Sequence, residues 1–470
     1  GPVALALAPP TSEAQGAPPR RSNPLEPTAR RWPTWLVTER RALLPPPPPP
    51  PASERTRQEL AELADYQARR SPAAIETVRL WDRQGGATVW THVLLEVIKA
   101  TSTDPVRAAR ALALLHVAMA DATVVAWYAK SRYHRLAPVR LNPRLVPIGS
   151  VPPTLPTYPS EHAAIAGAAL AVLESLYPDR TVTLAGAELT FGELALSAVE
   201  SRLWAGTNYR SDLEAGLALG ESVGALAVER GRNDGSDAVW DAVAQPGRLF
   251  GPPHWEPTPP AFRFPPLHPL AGTWRPWVLA TGSQFRLPPP PALDAPFPSP
   301  RFLAEVAEVK QVADTLTDAQ AQIALFWADN PGETYTTPGH WADIAREQIA
   351  ASGWSTPRAT RALALVAIGL ADSAIACWDT KYAYWILRPV TAIRNLAGYP
   401  FHDPNFLSFI PTPPFPAYTS GHSTFSGCSA TLLEWLFPGG SVRDAFGIPV
   451  PFAVASAQAA VSRLFGGIHF

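Results

Sequence analysis

Residues 372–389 read DSAIACWDTKYAYWILRP, and residues 121–138, lying 251 positions earlier, read DATVVAWYAKSRYHRLAP. Asp, Trp, Lys and Pro coincide. At a shift of 260, residues 158–163 (YPSEHA) meet residues 418–423 (YTSGHS), and at a shift of 261, residues 201–208 (SRLWAGTN) meet residues 462–469 (SRLFGGIH). Two unrelated regions of shared composition poorly explain three blocks in one order at a nearly constant offset, so they predict an internal duplication. Around the blocks, apolar residues recur at helical spacing, over 108–127, 161–176 and 189–204 and again over 319–327, 358–387, 420–436 and 453–464. Candidate strands are nearly absent. The reading is an all-α fold of two tandem helical bundles. A proline-rich arm (1–71) precedes a first bundle (72–235), and a proline-rich linker (236–300) leads to a second (301–470).

Composition narrows the function classes. A chain of 470 residues has room for a large core, and 46% hydrophobic against 17% charged residues excludes pervasive disorder. With 39 Lys+Arg against 40 Asp+Glu, the chain is not a basic nucleic-acid binder. Cys377 and Cys428 stand in separate apolar segments at no zinc-ligand spacing and read as core residues. The 55 prolines crowd before Ala52 and between Pro246 and Pro300, with 45–51 as a polyproline II rod. Gly1-Pro2 resembles a tag scar, and residues 3–8 with Pro9-Pro10 the tail of a removed signal sequence. Apolar runs such as 163–173 and 362–371, the latter closed by Asp372, fall short of the ~20 residues a bilayer needs, so a soluble chain without a membrane span is expected.

The second half carries the chemistry. Lysine occurs only at 99, 130, 310 and 381, and two of these occupy matched positions. Lys381 and Arg388 are seven apart, close to two helical turns, which predicts two cations on one face converging on one anion. Ser420-Gly421-His422 stands between the proline-rich 411–416 and an apolar helical run, so it should open a helix whose amides and hydroxyl bind an oxyanion. Arg463 adds a fork of donors, and His469 a nucleophile or metal ligand. Singly, such a Lys-Arg pair is usually a solvated helix face and such a Ser-Gly-His a cap. Together they describe a pocket for a compact tetrahedral anion.

Lys381, six residues, Arg388-Pro389, then Ser420-Gly421-His422, then Ser462-Arg463, five residues and His469 resembles the signature shared by vanadium-dependent haloperoxidases and type 2 phosphatidic acid phosphatases, soluble acid phosphatases included. The resemblance covers most of residues 72–470 and is closest in motif to the chloroperoxidase-like enzymes. It implies that Lys381, Arg388, Ser420, Gly421 and Arg463 hold the oxygens of vanadate or phosphate. It also implies that His469 ligates vanadium or attacks phosphorus, and that His422 is the acid-base group. The implied haloperoxidase chemistry is oxidation of halide by hydrogen peroxide to hypohalous acid, with Lys381 polarising the peroxide. Residues 413–418 resemble the fungal chloroperoxidase segment, which implies that Phe415 and Trp378 line a halide pocket. Residues 326–329 resemble a segment whose Asp pairs with the active-site Arg, which implies that Asp329 orients Arg463.

The departures are specific. Thr419 replaces the usual Pro before Ser-Gly-His, and Trp385 stands for the Trp of the Lys-to-Arg stretch. The family has an Asp four residues beyond its terminal His, where this sequence stops at Phe470, so a native C-terminus beyond Phe470 is expected. In the first half Ala137, Glu161 and Asn208 replace Arg388, Gly421 and His469, while Lys130, Ser160, His162 and Arg202 remain. That half is expected to be scaffold, with Glu161 paired to Lys130 or Arg202. Histidines outside the blocks, His340 among them, are expected to be packing, linker or surface groups. A vanadium-dependent haloperoxidase is the leading reading and a soluble acid phosphatase the alternative, and an interaction module is disfavoured because the second half keeps every ligand type. The reading leaves a small organic acceptor and a homo-oligomer open, and an oxidant-producing activity behind a removed leader suggests secretion or a periplasmic location.

Overall fold

The computed structural model describes residues 3–4, 26–184, 186–241 and 251–470. The scar and leader readings, Val3–Ala4 apart, and linker residues 242–250 lie outside the described residues. The fold is all-α. Its helices are α1 (Glu54–Ala68), α2 (Pro72–Asp82), α3 (Ala87–Ala100), α4 (Pro105–Tyr133), α5 (Pro138–Leu141), α6 (Glu161–Leu176), α7 (Phe191–Ala205), α8 (Arg210–Arg232), α9 (Pro300–Asp314), α10 (Asp318–Phe326), α11 (Thr336–Ser352), α12 (Thr356–Tyr384), α13 (Pro389–Asn395), α14 (Gly421–Leu436) and α15 (Phe452–Phe465). Helix α1 lies inside the stretch read as an arm. Strands are short: β1 (Val3–Ala4) runs parallel to β2 (Thr181–Leu184), which forms a hairpin with β3 (Ala187–Thr190), and β4 (Ser441–Arg443) forms another with β5 (Pro449–Pro451). The two hairpins feed α7 and α15, the helices that carry Arg202 and Arg463.

Local chemistry starts these helices. The hydroxyls of Ser53, Ser71 and Ser299 accept the amides of Thr56, Ala74 and Phe302, and the last two are followed by proline at the first helical position. Thr190 with Glu193, and Thr317 with Gln320, close reciprocal capping boxes.

Contacts divide the chain into a unit of residues 1–102, 110–231 and 342–367 and a unit of residues 103–109, 232–341 and 368–470. The boundaries read from the sequence differ from this division, since 342–367 falls with the first unit and 236–300 with the second. In the first unit, residues 111–127 of α4 are buried without interruption, as in a core helix with no solvent face. Asp121 within it accepts the amides of Trp35, Leu36 and Val37 at 3.1, 2.7 and 3.2 Å. In the second unit Asp372 of α12 accepts those of Trp277, Val278 and Leu279 at 2.7, 2.8 and 2.9 Å. Tyr133 and Tyr158 donate to the carbonyls of Pro45 and Pro46, and Tyr384 and Tyr418 to those of Leu287 and Pro288. The described part of the linker is irregular apart from two short 3-10 turns, as the sequence suggests, yet it is a packed part of its unit, gripped as the arm is in the other.

The same aspartates explain a second difference. Asp372 interrupts the apolar run without ending the helix, because its carboxylate is spent on amides. The helical stretches Pro105–Leu141 and Thr356–Tyr384 are thus long and apolar enough to cross a bilayer by composition, yet 94% and 72% of their most apolar windows are buried inside the protein.

Glycines on α8 set its approach to α6. A Cβ at Gly216 would lie 2.4 Å from the Ser160 carbonyl oxygen, at Gly220 2.1 Å from that of Ala164, and at Gly224 2.6 Å from Ala171 Cβ. Gly220→Ala should therefore destabilise the protein by about 2 kcal/mol, the scale of overpacking a rigid contact. Gly427 of α14 has open space around its Cβ position, and Gly427→Ala should not destabilise. Melting temperatures of the two variants check the contrast.

Candidate active site

The five elements that carry the signature meet in the second unit. Lys381 lies on the last turn of α12, Arg388 caps α13, Ser420 caps α14, Arg463 is on the last turn of α15, and His469 follows four residues beyond that helix. Contrary to what the spacing predicts, the Lys-Arg pair does not share a helix face. Helix α12 ends at Tyr384, Trp385 adopts φ +55°, and Arg388 is extended before Pro389, a position where proline disfavours helix. The two cations still converge, with Lys381 Nζ 5.0 Å and Arg388 Cζ 4.9 Å from the Phe415 ring centre.

Lys381 is fully buried and donates to the carbonyls of Pro416 and Ala417, each at 2.9 Å, and of Thr419. Burial brings its ammonium down to about 7, against a raising influence of Cys377 and with a lowering one from Arg388. Arg388 donates from Nε to the Phe415 carbonyl at 2.8 Å and from Nη1 to that of Ile468 at 2.9 Å, with His469 Nε2 at 3.1 Å from the same Nη1. Its Nη2 is buried with no partner, and burial lowers the guanidinium to about 9. Arg463 donates to Ser462 Oγ at 2.9 Å and to the carbonyls of Trp327 and Ala324 at 2.5 and 3.3 Å; burial lowers it to about 10, opposed by Asp329. Among the described residues, none of the three cations has a carboxylate within ion-pair distance.

The histidines are held neutral. Burial, then Arg463, lowers His422 to about 3 against the opposing field of Asp329, and its Nε2 is buried without a hydrogen-bond partner. Burial, then Arg388 and Lys381, holds His469 well below the usual imidazole range. The Ser420 hydroxyl accepts the Ser423 amide at 3.3 Å and so caps α14, as the sequence predicts. A Cβ at Gly421 would meet only Phe425 and Trp378 carbons, at 3.7 and 3.8 Å. No protein atom demands glycine there, so the glycine keeps space open at the helix N-terminus.

Three buried cations with no carboxylate in ion-pair contact, and one nearby carboxylate at Asp329, are costly unless an anion completes the set. The donor types fit a tetrahedral oxyanion, and a neutral imidazole fits the ligand role that vanadium requires. Among the described residues, no three His, Cys, Asp or Glu cluster as cation ligands, so a metal here would be held chiefly through its oxygens, with one imidazole as direct ligand. Because binding an anion raises the Lys381 pKa, binding takes up a proton. Affinity for sulfate, whose own charge is constant over the neutral range, should fall as pH rises above 7, by up to about tenfold per unit. Calorimetry in two buffers checks both the trend and the proton uptake.

Asp329 departs from its expected pairing with Arg463. Its Oδ1 lies 3.0 Å from His340 Nδ1, and its Oδ2 lies 3.7 Å from His422 Nε2. Burial opposes ionisation, but His340, His422 and Arg463 together hold the carboxyl below its usual range. His340, read from the sequence as a bystander, is thus part of the site. Neither a repeat block nor spacing marks it. Trp378 and Phe415 pack at 5.1 Å between ring centres beside Lys381, and the Trp378 indole N–H is spent on the Leu267 carbonyl at 3.1 Å. The pair presents ring surface to the site, and linker residue 267 fixes it from behind. Tyr382 donates to the same carbonyl.

In the first unit the matched residues also meet. Lys130, Ser160, Glu161, His162 and Asn208 line a small recess with room for about one water molecule. Lys130 donates to the carbonyls of Pro156 and Thr157, Arg202 pairs with Asp82 at 3.1 Å, and Asn208 donates to the Thr157 carbonyl and Asp212. Glu161 pairs with neither Lys130 nor Arg202, contrary to the expectation, because those cations have nearer acceptors, and its Oε2 is buried without a partner.

Known proteins share this organisation. Residues 361–453 match the family described as the VCPO second helical-bundle domain, and residues 111–234 match the PAP2 superfamily. The vanadium chloroperoxidase of Curvularia inaequalis is 27% identical over 426 residues, which span 74% of this chain and 65% of that protein. A crystal structure described as the first bacterial vanadium-dependent iodoperoxidase superposes with a TM-score of 0.62 at 25% identity, covering 81% of this chain and 90% of the other. A holo bacterial vanadium-dependent chloroperoxidase shares the fold with a TM-score of 0.53 at 17% identity, over 78% and 87% of the two chains. On its site and on these likenesses, the chain resembles the superfamily that vanadium-dependent haloperoxidases share with type 2 phosphatidic acid phosphatases, and matches family models of it over residues 111–234 and 361–453.

Proposed function

We propose that the protein is a vanadium-dependent haloperoxidase, oxidising halide with hydrogen peroxide to hypohalous acid and water. The observation that carries the reading is the surplus of buried positive charge at Lys381, Arg388 and Arg463 around two neutral imidazoles. The apolar Trp378–Phe415 wall beside Lys381 favours peroxidase chemistry, since it offers a polarisable, water-poor surface for a halide. Lys381, Arg388, Ser420, the Gly421 amide and Arg463 would hold vanadate oxygens, and His469 would ligate the metal. Vanadate, when bound, supplies a Lewis acid that makes peroxide oxygen electrophilic. The cations offset the charge of that anion, and Lys381 regains its proton in its presence. His422, neutral at rest, accepts a proton from an incoming hydroxyl group, and the Asp329 carboxylate stabilises the imidazolium so formed.

A second reading, a soluble acid phosphatase, is favoured by the approach of His469 Nε2 to Arg388 Nη1, which would leave an imidazole next to a bound phosphoryl group. There His469 would take the phosphoryl group and His422 would help to release it. We also propose that the first bundle is scaffold, because Glu161 puts a buried carboxyl group, an acceptor of hydrogen bonds, where Gly421 leaves space in the second. The deciding experiment strips the protein of metal, adds orthovanadate, and assays halogenation of a dye with peroxide and chloride, bromide or iodide, beside p-nitrophenyl phosphate hydrolysis without vanadate. Vanadate-dependent halogenation is expected. Ester hydrolysis alone would hand the site to the phosphatase reading.

A further inference from the structure

We infer that His340 is a positioning residue that clamps the turn of residues 324–329, the support on which both His422 and Arg463 rest. The inference builds on the oxyanion reading of the site. His340 stands on the first turns of α11, with its ring stacked on Trp327 at 4.7 Å and 26° and edge-on to Phe326 at 5.5 Å. Its Nδ1 reaches Asp329 Oδ1 at 3.0 Å. One side chain therefore holds both ends of the segment Phe326–Asp329.

That segment carries the site from below. The Trp327 and Ala324 carbonyls take the Arg463 guanidinium, the Trp327 backbone also bonds His422, and Asp329 Oδ2 faces His422 Nε2 at 3.7 Å. Asp329 sits at φ +52°, a left-handed conformation that aspartate tolerates better than most non-glycine residues. The bond from His340 helps to hold it there. Next to His340, Trp341 stacks on Trp327 at 5.8 Å and donates to Ser426 Oγ of α14 at 2.8 Å, which ties the clamp to the helix that opens with Ser420. Without the imidazole, Asp329 is released from Oδ1 and free to swing toward Arg463, drawing that guanidinium away from a bound anion.

The test pairs two amides of one chemistry. Asn places its side-chain nitrogen where His340 has Nδ1, whereas Gln places it near Nε2. His340→Gln and His340→Ala should keep the fold by circular dichroism and weaken orthovanadate and sulfate binding by about tenfold or more, the usual cost of losing a residue behind an anion or metal ligand. His340→Asn should restore most of that affinity. Equilibrium dialysis with each anion gives the readout without reference to turnover. Wild-type affinity in His340→Gln, or equal losses in the Asn and Gln variants, overturns the inference and leaves His340 a packing residue. Failure of the wild-type protein to bind either anion overturns the oxyanion reading itself, and the inference with it.

Discussion

Arg388→Met is expected to bind vanadate weakly and to lose turnover by about 100- to 1,000-fold, the scale on which removal of one preorganised oxyanion donor is felt. The effect is large because Arg388 acts twice. Its unpartnered Nη2 is a donor with nothing in the protein to receive it, and its Nη1 fixes both the Ile468 carbonyl and the His469 ring. Methionine fills the volume and leaves the Phe415 carbonyl and His469 without their donor, so the anion loses a contact and the imidazole loses its orientation. Arg388→Lys restores the charge but not the fork, and recovers only part of the affinity. Titration of each variant with orthovanadate checks the order wild type, Lys, Met; a methionine variant that binds as tightly as wild type would remove Arg388 from the site.

His469→Ala separates the imidazole from the cations. Turnover in either reading falls by about a thousandfold or more, as for a residue that works as a unit with its neighbours. Sulfate, which needs only the cations and the α14 N-terminus, still binds. Asn208→Ala, the matched change in the first unit, leaves turnover near wild type, because Asn208 spends its amide on the Thr157 carbonyl and Asp212. Equal losses at the two positions would contradict the assignment of the first bundle as scaffold.

Much of this was legible in the amino-acid sequence, for physical reasons that differ from residue to residue. The cap at Ser420 and the convergence of Lys381, Arg388, Arg463 and His469 follow from residue type and order. The Lys-Arg convergence does not come from a shared helix face, because Trp385 and the proline after Arg388 end the helix that periodicity extends. Asp329 is legible but its nearest partner is not: it feels the field of Arg463, yet a carboxylate bonds whichever donor the fold brings nearest, here His340 from α11. The grip on the arm and linker was hidden by register. Residues 32–37 (WPTWLV) and 274–279 (WRPWVL) answer one another at a shift of 242, whereas the aspartates that hold them differ by 251. A search at one constant offset passes over them. His340 lies in no repeat and at no motif spacing, so only the folded chain brings it to Asp329.

Soaking crystals of the protein with tungstate or orthovanadate tests the central claim most directly. The account predicts one oxyanion in the second unit, in contact with Lys381, Arg388, the start of α14 at Ser420 and Gly421, and Arg463, with His469 Nε2 at its centre atom. An oxyanion bound elsewhere, with this cluster left without one at saturating concentration, would contradict it.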